Sequence, residues 1–277
     1  MTREPSNPFV SVVTVSLNAA DTVGATMASV AMQLAEFTIE HICVDGGSAD
    51  ATRDIIDQWA ARSPCVRRLY EPDCGIFDAM NKGLRLAHGE YVLFLNSDDF
   101  LVRSDALATA MHGLSPGRTD NPDLVLGNVA MGFPGRYGVW RRRKVPHLLQ
   151  RLRGSGMYPP HQGMFAQRRL LESIGGFDAR LRYSADLYQY YELERRFPLT
   201  IRRVNEEIAL MRPRGRANSS PLEICRGTLE IFQRLRASQG PLRAAVMVAV
   251  KSLQSVAELR IGRLAREDWF SHSPVAE

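Results

Sequence analysis

Two hydrophobic periods alternate along the amino-terminal part of the chain. Short β-branched and apolar runs at 9–15, 39–45, 66–70 and 91–95 read as strands, and the stretches between them carry apolar residues at helical spacing. A first helix is predicted from about Asp21, whose carboxylate is placed to cap it, through Val23, Met27, Val30, Ala31 and Leu34. A second carries Ile55, Ile56 and Trp59. A third, roughly 76–87, sets Ile76, Met80, Leu84 and Ala87 on one side and ends near Gly89, a C-cap residue. The order β-α-β-α-β-α-β predicts an α/β fold with a mostly parallel, doubly wound sheet, flanking helices and right-handed crossovers.

After residue 122 the pattern loosens. Residues 124–129 and 137–140 suggest further strands and 170–174 a short helix. From Pro221 the composition turns helical, with a second helical segment from about Pro241 to Arg266. The expected organisation is one α/β domain over 1–220 and a C-terminal helical extension over 221–277.

One junction carries chemistry. Tyr91-Val92-Leu93-Phe94-Leu95 is apolar on both faces, as a covered central strand must be, and Asn96-Ser97-Asp98-Asp99 closes it. Ligands of such sheets bind outside the carboxyl ends of the strands. Two adjacent carboxylates there suit a hard cation, Mn2+ or Mg2+, holding a substrate's phosphates. As mere caps of a following helix they would repel each other without compensation, so the metal reading is preferred.

Composition narrows the class. The chain has 277 residues, 45% of them hydrophobic, enough for a large core. The apolar stretch 244–250 is far shorter than the roughly 20 residues of a spanning helix, and the start of the chain lacks an apolar signal region, so a cytoplasmic, non-spanning protein is expected. Four cysteines form no C-x-x-C pair, which suits reduced thiols. The net charge of +5 hides an asymmetry: residues 1–135 carry 9 Lys/Arg against 17 Asp/Glu (−8), the remainder 26 against 13 (+13). An acidic half holding a metal and a basic half facing phosphates or an anionic membrane would account for it, as would an Arg-rich solvated surface.

Five strings then agree in order and spacing: Val13-Thr14-Val15-Ser16-Leu17-Asn18; Val44-Asp45-Gly46-Gly47-Ser48-Ala49-Asp50-Ala51-Thr52; Glu71 to Gly83, containing Asp73 and Asn81-Lys82-Gly83; Asn96-Ser97-Asp98-Asp99; and Gly175-Gly176-Phe177-Asp178. With them the chain resembles a family 2 glycosyltransferase of the GT-A (Rossmann-like) fold, of the bacterial surface-polysaccharide type, over about residues 9–220. The resemblance implies a metal-dependent, inverting transfer of a sugar from a nucleotide-sugar donor to a glycan or lipid-linked glycan acceptor, with Mn2+ or Mg2+ as cofactor. It implies that Ser16, Asn18 and Asp45 line the nucleotide pocket, with Asp45 accepting from the base; a turn or cap carboxylate is the alternative for Asp45. Asp73 and Asn81 become nucleotide contacts, and Lys82 either a phosphate contact or a solvated lysine.

Where the family's D-x-D motif often starts with Asp, this chain has Asn96. Asp98 is then the principal metal ligand, and Asp99 a second ligand or a holder of ribose and loop geometry. Asp186, in Tyr183-Ser184-Ala185-Asp186, stands where the family carries its general base, and it also fits an N-cap. His161, in a His161-Gln162 pair, is either a diphosphate or acceptor contact or a packed residue. Arg214 and Arg216, in the string Arg212 to Asn218, resemble the family's mobile loop over the donor phosphates; a basic linker is the alternative.

The basic run Arg141 to Lys144 and the residues Arg243, Lys251, Arg260, Arg263 and Arg266 suit peripheral contact with the inner face of the cell membrane, packing onto the transferase domain, or a homodimer. No nucleic-acid motif accompanies them, so nucleic acid ranks low as a partner. Two rival functions remain. A sugar-phosphate nucleotidyltransferase would need a Gly-rich loop after the first strand, where residues 15–25 offer only Gly24; a catalytically silent nucleotide-sugar-binding or scaffold relative would not need both Asp98 and Asp186.

Overall fold

A computed structural model describes residues 7–132, 141–143, 158–212, 221–242, 244–249 and 252. The strand expected at 137–140 lies outside the described residues, as do Lys144, Arg214, Arg216, Arg243, Lys251, Arg260, Arg263 and Arg266.

The four predicted amino-terminal strands are present as β1 (Val10–Ser16), β2 (Ile39–Asp45), β3 (Val66–Tyr70) and β4 (Tyr91–Phe94), joined by helices α1 (Val23–Ala31), α2 (Thr52–Arg62) and α3 (Ile76–Leu86). They pair in parallel in the order β3-β2-β1-β4. The chain thus winds outward from β1 to β3 and then crosses back to lay β4 on the other side of β1. That reversal opens a crevice between the carboxyl ends of β1 and β4, the place where open α/β sheets bind ligands. All residues of β1 and β4 are buried; β4 is apolar throughout, and the polar residues of β1, Ser11, Thr14 and Ser16, bond Glu40, His41 and Asp45 of β2.

Beyond β4 the sheet becomes mixed. β5 (Phe100–Leu101), β6 (Leu124–Met131), β7 (Arg141–Arg143), β8 (Met164–Gln167) and β9 (Ile201–Met211) complete nine strands, ordered β3-β2-β1-β4-β8-β6-β9-β5 with β7 on β6. β8 lies antiparallel between β4 and β6, while β6 and β9 pair in parallel. Helices α4 (Ala106–Met111), α5 (Arg168–Ser173), α6 (Ala185–Arg196) and α7 (Pro221–Gln239) cover it. Ile231 and Leu235 of α7, with Ala244 and Met247, are buried in the same core as Val13, Phe94 and Leu187. Gly83 is where α3 meets β1: a Cβ there would strike the Val13 side chain, so its small size serves helix-on-strand packing.

Three local expectations fail. Asp21 does not cap α1; the helix starts after Thr22, with the amides of Thr22 and Val23 both bonded to the Ala19 carbonyl. It also stops before Leu34, which is exposed, because the amide of Leu34 bonds Ser104 and the Gln33 side chain bonds Arg103, drawing the chain away from the helical path. Gly89 is not the cap of α3, whose C-cap is the extended residue Ala87; its amide instead donates to Ser11 Oγ and Glu40.

Candidate active site

The carboxyl ends of β1, β2 and β3 bring Ser16, Asp45 and the 71–73 segment to one edge of the sheet. Asp45 is fully buried and saturated. One oxygen accepts from the amides of Gly47 (3.2 Å) and Ser48 (2.8 Å) and from Arg53 Nε (2.9 Å), and the other from Ser16 Oγ (3.1 Å) and Ser48 Oγ. Burial pushes its pKa up, yet the donors of Ser48, Arg53 and Gly47 outweigh burial and hold the carboxyl below its ordinary range. The turn-forming alternative for Asp45 therefore describes this structure, since every lone pair already has a protein donor.

Asn18, with φ +50°, stitches the β1–α1 loop to the same turn: its side chain accepts from Ala49 N (2.9 Å) and its amide donates to Ser48 Oγ (2.7 Å). Asp73 leans over Gly46, where a Cβ would collide with its carboxylate, and accepts from Gly75 N (2.9 Å). Burial first, and the charges of Asp78 and Asp45 after it, raise its pKa against the pull of Gly75 N and Lys82.

The second group lies at the β1/β4 reversal. Asp98 and Asp99 do not cap a helix, for the chain continues directly into β5. Asp99 is almost fully buried and accepts from Gln162 Nε2 (2.9 Å), while its carbonyl accepts from Thr26 Oγ1 (2.7 Å). Burial and then the neighbouring Asp98 push the Asp99 carboxyl up to about 7, against the pull of His161, Gln162 and the Arg212 amide. Asp98 is raised as well, by burial, despite the charges of Arg212 and His161.

His161 stands between Asn96, at the start of the same tetrad, and Asp186. Its Nε2 lies 3.3 Å from Asn96 Nδ2 and its Nδ1 lies 3.7 Å from Asp186 Oδ2. With Asn96 donating, the ring proton sits on Nδ1, facing Asp186. Asn96 Oδ1 is buried and has no hydrogen-bond partner. That orphan acceptor beside two acids of raised pKa fits a divalent cation. Among the described residues no cluster of three or more His, Cys, Asp or Glu could hold a metal alone, so substrate phosphates and water would complete the coordination, the usual arrangement for Mg2+.

Not every candidate joins the site. Asn81 spends its amide on the backbone of Phe177, donating to the carbonyl and accepting from the amide, both at 2.8 Å. Lys82 is buried and ion-paired to Glu71 (2.9 Å) and Asp78 (3.6 Å), with a bond to the Pro72 carbonyl, so it is neither a solvated lysine nor free for phosphate. Both residues hold the walls of the crevice.

Arg212, just past β9 and the first of the three arginines in the string that resembles the loop over the donor phosphates, acts on both acids. One contributor escaped the sequence reading. Glu230 of α7 accepts from the amides of Arg182 (2.8 Å) and Tyr183 (2.7 Å), just before Asp186. A lone Glu on an amphipathic helix gives no sign of such a role.

Comparison with known proteins agrees with this geometry. The family model described as Glycosyl transferase family 2 matches residues 11–179. An uncharacterized glycosyltransferase of Mycobacterium tuberculosis is 34% identical over 183 residues, covering 65% of this chain and 67% of the relative. A PGL/p-HBAD biosynthesis glycosyltransferase of the same organism is 34% identical over 187 residues, with the same coverage of 65% and 67%. Among solved structures, the mannosyltransferase PcManGT from Pyrobaculum calidifontis in complex with GDP-Man and Mn2+ superposes with a TM-score of 0.64 at 17% identity, over 98% of this chain and 77% of that one. S. aureus TarS 1–349 in complex with UDP-GlcNAc gives 0.60 at 15% identity, over 95% and 91%. The fold is therefore GT-A-like.

Proposed function

The chain belongs to glycosyl transferase family 2, and from that premise we propose that it is a metal-dependent, inverting enzyme moving one sugar from a nucleotide-sugar donor to a glycan or lipid-linked glycan in surface-glycoconjugate assembly. One observation carries this reading: His161 stands between Asn96, which opens the acidic tetrad at the β1/β4 crevice, and Asp186 on the other side, and its charge acts on both Asp98 and Asp99. The donor nucleotide lies along the ends of β1 to β3, beside Ser16, Asn18, Asp45 and Asp73, with Arg214 and Arg216 closing over its phosphates. Asn81 and Lys82 shape that wall from behind.

Asp98, with Asn96 Oδ1, would hold Mn2+ or Mg2+, and the cation would supply positive charge against that developing on the departing diphosphate. Asp99, fixed by Gln162, keeps the loop and ribose in place. Asp186 takes the proton of the acceptor hydroxyl as its oxygen bonds to the anomeric carbon and the bond to the diphosphate breaks on the opposite face, which inverts the centre. Residues 1–220 form the transferase domain and 221–277 its helical extension. The reaction takes place on the cytoplasmic side, with the basic C-terminal segment near an anionic membrane. The mycobacterial relative named as a PGL/p-HBAD biosynthesis glycosyltransferase supports sugar transfer in a biosynthetic pathway.

The test is nucleoside diphosphate binding. In a thermal-shift panel of UDP, GDP, dTDP and CDP, one nucleotide should stabilise the protein clearly more with Mn2+ than without, and Asp98→Ala should remove that difference. A metal effect that survives Asp98→Ala would overturn the assignment.

A further inference from the structure

The segment that delivers Asp186 is held only in part by its own residues: at its start Arg180 pairs with Asp178 (2.8 Å) and the Leu181 amide donates to the Asp178 carbonyl (3.0 Å). Ser184, two residues before Asp186, has φ +56° and ψ +25°, a left-handed conformation that a non-glycine residue keeps only where the surroundings impose it. No side chain caps α6 at Ser184. The constraint comes from α7. The two oxygens of Glu230 take the two successive amides that precede Ser184, Arg182 N on one and Tyr183 N on the other. One turn further along α7, Arg234 pairs with Asp178 at 2.7 Å and lies over the Tyr188 ring at 4.9 Å, clamping the turn before Asp186 and the helix after it. Gly227, one turn earlier, lets α7 approach until a Cβ would stand 3.0 Å from Tyr183 Cβ.

Three consecutive turns of the C-terminal helix therefore grip residues 178–188, and no other described function uses them. We propose that α7 is a brace for the catalytic carboxylate and that Glu230 is its positioning residue, setting the angle at which Asp186 meets His161 and the acceptor hydroxyl. The inference rests on the reading of Asp186 as the base. It makes the C-terminal extension part of the catalytic apparatus rather than an appendage. Its physical ground is bidentate capture: two charge-assisted bonds to adjacent amides fix both the position and the rotation of a short segment, and small errors in the placement of a base cost rate steeply.

A double-mutant cycle on the full chain tests it. Glu230→Ala should lower kcat at least tenfold, with the donor KM and the Mn2+-dependent nucleotide shift unchanged, and Glu230→Gln, which retains one acceptor oxygen, should fall between Ala and the parent. In an Asp186→Asn background Glu230→Ala should cost less than twofold, because the group it positions is gone. An equal loss in both backgrounds, or a rise in donor KM, would show a general structural role and overturn the proposal. Normal turnover of Asp186→Asn alone would instead sink the base assignment, a separate result. If Glu230→Ala does not fold, the Gln variant and Arg234→Met, compared in both Asp186 backgrounds, give the same reading.

Discussion

Buried carboxylates stand at both ends of the parallel strands, and they are built in opposite ways. Near the amino ends, Glu40 accepts from Ser11 Oγ (2.6 Å), the amides of His88 (2.6 Å) and Gly89 (3.1 Å), and Arg67 (3.0 Å). Burial raises its pKa, but these donors prevail and the carboxyl lies below its ordinary value. At the carboxyl ends, Asp98 and Asp99 share few donors and repel each other, and both lie above theirs. The residue class and the depth are alike; what differs is the supply of donors. A satisfied carboxylate ties a strand to a loop, whereas an under-satisfied pair keeps oxygens open to a proton or a cation. Asp45 shows that the carboxyl edge can also hold a satisfied acid, and there the result is a fixed turn.

The comparison can be broken by substitution. The largest effect is expected just across the crevice: Asp186→Asn should reduce kcat by about 10²–10⁴-fold, with nucleotide binding intact by calorimetry. Next, Glu40→Ala should cost about 3 kcal/mol in a denaturant titration, because it strands two amides, a hydroxyl and a guanidinium, yet leave the kcat of the folded protein unaltered. Asp99→Asn should do the reverse, raising rather than lowering the stability of the metal-free protein near neutral pH while impairing metal-dependent donor binding. If Glu40→Ala proves harmless to stability, the contrast between the two edges fails.

A smaller effect tests Asn96. Asn96→Asp adds a carboxylate beside Asp98 and should tighten Mn2+ binding about tenfold, read by titration calorimetry in the presence of the nucleoside diphosphate. The subtlest test is pH. Glu40 has a lowered pKa, so its stabilisation is present above its unfolded value of 4.5 and is lost as pH falls through the folded value. Asp99 has a raised pKa, so in metal-free protein its contribution opposes folding as pH rises from 3.8 to about 7. Thermal melts of Glu40→Gln and Asp99→Asn should each remove one limb of the metal-free stability curve, the acid limb and the neutral limb respectively. Saturating Mn2+ should erase only the second.

Much of this architecture was legible in the chain. Strands buried on both faces are mostly apolar, so the short runs of β1, β2 and β4 stood out despite Ser11, Thr14, Glu40 and His41, and their alternation with amphipathic helices fixed a parallel sheet. The acids that follow β2 and β4 pointed to the functional edge, because carboxyl ends of parallel strands lie together. Helix ends were less legible: α1 stops where Leu34 and Gln33 find partners seventy residues away in sequence, and no local rule contains them. The same reason hid the partners of Asn81 and Lys82, whose side chains are committed to Phe177 and to the 71–72 segment.

The sequence by itself determined the strand order's raw material, the acidic tetrad and the family strings, since these follow from local periodicity and residue type. Only the tertiary structure decided which acids are satisfied. Asp45 and Asp99 are the same residue type and Glu40 differs by one methylene; their roles depend on how many donors the folded chain brings within hydrogen-bond reach. It also decided that a glutamate some forty residues beyond Asp186 grips the turn that carries it, a contact set by the docking of α7 on the core and by nothing in its own helix.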